Sequence, residues 1–146
     1  MKYLYLILFI LFSNISYSQS WVQVGSDIDG EAAADLFGRS LASSKDGSIV
    51  AVGAPNNDEG GNISGTVKVF KYSSGSWIQM GSDIDGEAVS NQVGISVTLS
   101  EDGLTLATRY NSSTPYVKIL RWNGTQWNEI GKISVSYTHL RAHETR

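Results

Sequence analysis

The sequence predicts an all-β fold, a β-propeller built from four-stranded antiparallel blades, on three observations. Trp21, Trp77 and Trp127 recur at spacings of 56 and 50 residues. Short alternating or β-branched runs follow each of the first two, and glycine-containing turn dipeptides separate those runs. A period of that length signals a propeller, solenoid or array, and strands with no helical pattern between them select the propeller. The expectation is two four-stranded blades plus the first strand of a third, an incomplete propeller.

The first eighteen residues read as a signal peptide. Lys2 gives a basic start, Tyr3 to Phe12 an apolar core, and Ser16 and Ser18 small residues where a signal peptidase cuts. The apolar run is about ten residues, against roughly twenty for a membrane span, so cleavage after Ser18 and an exported product are expected. The destination is the medium or the cell surface. The chain has no cysteine, so the exported product relies on packing rather than disulfides. From Gln19 to Ile133, eight basic side chains stand against thirteen acidic ones, a net charge of −5. Such a surface has no electrostatic reason to bind nucleic acid or anionic membrane.

The repeat runs from 19–76 to 77–126. Residues 21–54 lie over 77–110 without a gap, and 16 of the 34 pairs are identical, including "GSDIDGEA" at 25–32 and again at 81–88. Within each unit the tryptophan run ("WVQVG", "WIQMG") reads as the first strand, with "SIVAVGA" or "LTLATRY" as the third and "TVKVFKY" or "YVKILRW" as the fourth. Asp46-Gly47 and Asp102-Gly103 stand between the second and third strands, a dipeptide that accepts the positive backbone angles of a tight hairpin. "SSGS" and "NGTQ" then turn the chain towards the next tryptophan. Residues 127–134 open a third unit. The repeat calls for another "SDIDGEA" there, whereas the chain ends "VSYTHLRAHETR". That ending resembles a translated sequencing adapter, so 135–146 are expected to be a non-native tail. His139 and His143, the only two histidines, belong to it.

Phe37-Gly38, Ser40-Leu41, "VGAP" at 52–55 and Gly65 before "TVKVF" together resemble the FG-GAP repeat of integrin-α-like propellers and of secreted bacterial proteins. The resemblance is carried by Trp21 to Tyr72 and weakens in the second copy, where Val93-Gly94 and Arg109-Tyr110-Asn111 replace the two signatures. It implies packing roles, with Gly38 and Gly53 allowing close passage of strands and Phe37 filling the space between blades. It also implies a calcium loop of the form Asp-x-Asp-x-Asp-Gly-x-x-Asp before "GAP". The matching positions here are Ala42, Ser44, Asp46, Gly47 and Ile49 or Val50, one carboxylate of about four, too few for a cation that asks for six to eight oxygens.

The duplicated "GSDIDGEA" offers weak metal candidates in Asp27, Asp29, Asp83 and Asp85. A helix-loop-helix calcium register puts Gly25 and Leu36, or Gly81 and Gln92, at its two anchor positions, and neither pair can ligate. Two readings stay open. One is a site completed by carboxylates from elsewhere in space. The other is a structural connection, with Asp27 and Asp29 bonded to backbone and Ile28 and Ile84 buried. The expectation is no cofactor, calcium being the one ion these carboxylates suggest. "PNNDEGGNISG" at 55–65 is a polar loop whose Asn56, Asn57, Asp58 and Glu59 could hold a partner, or simply be solvated.

Without the tail the exported chain contains neither histidine nor cysteine, which removes the usual nucleophile and base pairs. The functional expectation is a non-enzymatic binding or adhesion module for an extracellular protein or glycan. Further blades of the same chain, or self-association, would cover its open faces. The alternatives are scaffold blades of a larger secreted hydrolase and a purely structural surface repeat.

Overall fold

The computed structural model describes residues 20–134, so the expected signal peptide, the tail and its histidines lie outside the described residues. Nine strands are present among the described residues: β1 (Ser40–Ser43), β2 (Ile49–Ala54), β3 (Thr66–Ser73), β4 (Ser76–Gln79), β5 (Ile84–Asp85), β6 (Val97–Leu99), β7 (Thr105–Tyr110), β8 (Tyr116–Trp122) and β9 (Trp127–Ser134). A single 3-10 turn, Ala33–Asp35, is the one helical element among the described residues. The first sheet runs β1-β2-β3-β4, with β5 also on β3, and the second runs β6-β7-β8-β9. All these pairings are antiparallel. Each sheet is therefore a meander of the kind that makes a propeller blade.

The division into units moves by one strand. The Trp77 strand is hydrogen-bonded to β3, with Tyr72 opposite Trp77, and closes the first sheet instead of opening the second. Likewise β9 pairs with β8, Trp122 opposite Trp127, so the Trp127 strand is the fourth of the second sheet and not the first of a third. The reason is local. Ser74 (φ 51°) and Gly75 (φ 91°) form a two-residue turn whose twist brings the chain straight back onto β3. In the Asp-Gly hairpins only the glycine takes the positive angle, Gly47 at 71° and Gly103 at 70°. The aspartate caps the turn: Asp46 accepts from Ser44 Oγ (2.6 Å) and Ser48 N (3.0 Å), and Asp102 from Ser100 Oγ and Leu104 N.

The core lies between the two sheets. Ile49, Ala51, Val67 and Val69 from the first sheet form one buried cluster with Leu106, Tyr110, Tyr116 and Leu120 from the second. Met80, Ile84 and Val93 of the connection between the sheets complete it. Alternation along each strand sends Leu41, Val50, Val52 and Phe70 to the opposite face of the first sheet, and Ala107, Val117 and Ile119 to the far face of the second.

Candidate functional site

Both copies of "GSDIDGEA" sit at a sheet margin and make the same set of contacts. Gly25 and Gly81 take φ of 76° and 78°. A Cβ on Gly25 would lie 3.0 Å from the Trp77 ring, and one on Gly81 2.8 Å from Trp122. These glycines therefore rest on the tilted aromatic pairs Tyr72–Trp77 (centroids 5.3 Å apart) and Trp122–Trp127 (5.5 Å). Trp77 Nε1 donates to Val24 O at 3.0 Å, and Trp127 Nε1 to the aligned Met80 O at 2.9 Å. Gln23 donates to Asp27 at 2.8 Å and Gln79 to Asp83 at 2.6 Å, each amide also reaching the glycine carbonyl.

The motif's glutamate reaches a lysine in the middle of an apolar strand. Glu31 pairs with Lys68 at 2.5 Å, and Glu87 pairs with the aligned Lys118. Lys68 also meets Asp83 at 3.0 Å, and Lys118 meets Glu129 at 3.3 Å. Both lysine side chains are largely buried, at 12% and 9% exposure. Burial alone would lower their pKa, and the bonds to these carboxylates outweigh it, so both stand above the ordinary lysine value. Burial also raises the Tyr110 phenol to about 12, and that ring stacks on Tyr116 with centroids 5.0 Å apart.

The four aspartates weighed as metal ligands do not converge. Among the described residues, the three carboxylates close enough to share an ion are Glu31, Glu59 and Asp83, within 4.8 Å of one another. The nearby Glu31 charge is the largest cause raising Glu59 above the usual carboxylate range. Lys68 Nζ already rests against two of the three, so the ammonium stands where a cation would, and the donor set falls short of a calcium shell. Ile84 is buried as the structural reading expects, while Ile28 is half-buried, because a first sheet covers the former and nothing described covers the latter.

The loop 55–65 is mostly taken up by internal bonds. Asn57 is buried, donates to Asp35 at 3.0 Å and accepts from Glu59 N. Asp58 accepts from Ile63 N at 2.7 Å, and Asn56 donates to Ala34 O at 3.3 Å. The carbonyls of Asn62, Ile63 and Ser64 accept from Ser90, Gln92 and Val93. The loop is thus a strap that sews the first sheet to the segment entering the second, and Asp58 and Glu59 are its exposed acids.

Two equivalent clefts result. One, of ≈ 310 Å³, is lined by Asp27, Asp29, Glu31, Lys68, Trp77 and Gln79 and opens on the outer face of the first sheet. The other, lined by Asp83, Asp85, Tyr110, Lys118, Leu120 and Trp127, lies where the two sheets meet. Sequence reasoning missed Lys68 and Lys118, although a lysine at the same place in "TVKVF" and "YVKIL" was the signal available.

Residues 15–70 match the family model described as FG-GAP repeat. No curated protein matches the chain. Among solved structures, a chain described as a proposed 6-phosphogluconolactonase from Bacteroides fragilis is similar at 19% identity and a TM-score of 0.48, over 66% of this chain and 25% of that one. A second, described in the same way and from Bacteroides uniformis, is similar at 19% identity and a TM-score of 0.46, over 66% of this chain and 26% of that one. The chain thus spans about a quarter of the length of either.

Proposed function

We propose that the chain, whose first repeat matches FG-GAP over residues 15–70, is an exported, non-enzymatic module that binds an extracellular protein or glycan. The observation that supports this reading is the open cleft beside Trp77. An indole, an amide and three carboxylates face it together, the mixture of an apolar platform and acceptors that suits a hydroxyl-rich or mixed polar surface. The carboxylates nearest to one another are engaged by Lys68, and residues 20–134 contain neither histidine nor cysteine, so binding rather than proton transfer or nucleophilic attack is the chemistry at hand. The signal-like start, with Lys2 ahead of an apolar run and small residues at Ser16 and Ser18, supports the export in this reading.

The test is to immobilise the chain on a biosensor and pass over it a panel of purified polysaccharides and extracellular glycoproteins. Saturable binding of one of them, lost in Asp29→Ala and in Asp27→Ala, both of which line the cleft, with the melting temperature unchanged, is the expected result. Retention in both variants would move the site elsewhere, and turnover of an ester, lactone or glycoside substrate by the purified chain would overturn the non-enzymatic reading.

A further inference from the structure

The two outer faces of the sheet pair differ in a way the repeat makes legible. Where the sheets meet, backbones pass close together at several glycines, and two of them, Gly53 and Gly65, lie in or beside strands of the first sheet. A Cβ on Gly53 would lie 2.1 Å from Gly94 O, and one on Gly65 2.3 Å from Val93 O. Contacts under 3.0 Å to backbone cannot be relieved by a rotamer change, so both positions need glycine for this packing. The strap carbonyls of Asn62, Ile63 and Ser64 add backbone hydrogen bonds beside them.

In the second repeat the positions aligned with Gly53 and Gly65 are Arg109 and Pro115, and the strap is shorter by six residues. Arg109 occupies the matching place in its sheet: it lies opposite Val117 as Gly53 lies opposite Val67, and it alternates with Thr105 and Ala107 on the far face. The rest of that face still repeats the inner one, with Ala107, Val117 and Ile119 aligned to Ala51, Val67 and Val69. The first sheet's outer face likewise repeats the buried face of the second, Val24, Ile28, Phe37, Val50 and Phe70 standing where Met80, Ile84, Val93, Leu106 and Leu120 are buried. Even the charges agree. Lys45 and Glu101 pair at 2.9 Å between the sheets, and the aligned pair across two copies would be Glu101 against Lys45.

We propose that Arg109 and Pro115 keep copies of this chain from stacking head to tail, the far face of the second sheet being otherwise complementary to the outer face of another copy's first sheet. Such a contact is heterologous, and a heterologous contact that does not close on itself propagates into rings or fibres. A guanidinium with its Cβ at the point of closest backbone approach, and a proline ring at the second such point, hold the partner off.

Light scattering of the exported chain across a concentration series tests this. Wild type is expected to keep its monomer mass. The double variant Arg109→Gly/Pro115→Gly is expected to associate at least about tenfold more tightly, and adding Leu41→Glu on the outer face should return it to monomer. Wild-type oligomers that Leu41→Glu dissolves, or a folded double variant that stays monomeric, would overturn the proposal. If the double variant fails to fold, the reverse substitution decides. Gly53→Arg in the wild-type chain should part the two sheets and speed proteolysis between Gly86 and Ser96, and unchanged protection there would sink the idea.

Discussion

The indole Nε1 of Trp127 donates to the carbonyl oxygen of Met80 at 2.9 Å, joining the last strand of the second sheet to the segment that leaves the first. Trp77 makes the same bond to Val24, but there the acceptor residue is exposed while Met80 is buried. Water can replace the donor at Val24 and not at Met80. Trp127→Phe is therefore expected to cost about 1 kcal/mol for the hydrogen bond alone, a drop of about 4 °C in melting temperature for a domain of this size. Trp77→Phe should cost visibly less, and equal losses in a thermal melt would contradict the assignment.

Gly53 and Gly47 separate packing from backbone conformation. A Cβ at Gly53 meets the backbone of Gly94 in the segment entering the second sheet, whereas one at Gly47 meets nothing within 4 Å and only the positive φ opposes it. Gly53→Ala is expected to destabilise by about 1–3 kcal/mol through overpacking, and Gly47→Ala by about 1 kcal/mol. Urea titration ranks the two, and the reverse order would mean the sheets are not held at this spacing.

Acid should weaken the first hairpin in a predictable window. Hydrogen bonds from the Ser44 hydroxyl, the Ser48 amide and the Ser48 hydroxyl hold Asp46 down at about 2. A carboxyl whose folded pKa is depressed contributes stability that is present above its unfolded value and lost as pH falls through the folded one. The contribution of Asp46 should therefore fade from about pH 4 to about pH 2. Melting temperature measured against pH should fall less steeply through that window in Asp46→Asn than in wild type. An identical slope would show that the capping bonds do not form in solution.

Millimolar calcium is expected to leave the melting temperature of wild type unchanged, because a ligand that binds only the folded state must raise it. The Lys68 ammonium already lies against Glu31 and Asp83. Differential scanning calorimetry with calcium and with a chelator makes the comparison, and a rise of several degrees would show a metal site that these carboxylates do not complete by themselves.

Most of the strands and the turn glycines were legible in the sequence, since alternation and a duplicated phase marker are properties of single repeats; the run "WVQVG" at 21–25, expected as a first strand, forms none, because no described strand lies beside it to pair with. The ownership of the tryptophan strand was not. "WIQMG" reads as a beginning because the identity between copies starts there, while pairing is decided by the two-residue turn at Ser74-Gly75, which returns the chain to β3. The loop 55–65 looked like a partner surface because it is polar and glycine-rich. Its carbonyls instead accept from 90–93, and only the fold brings those segments together. Lys68 and Lys118 read as the polar half of an alternating strand, and the glutamates that hold them lie 37 and 31 residues away.

The one-strand offset between repeat and sheet has a consequence for how such a chain can grow or shrink. Each sheet borrows its final strand from the next stretch of duplicated sequence. A duplicated or deleted segment cut at the tryptophans therefore never carries a finished sheet with it. It arrives with one edge unpaired and leaves a neighbour in the same condition, so the unit of inheritance and the unit of folding overlap without coinciding.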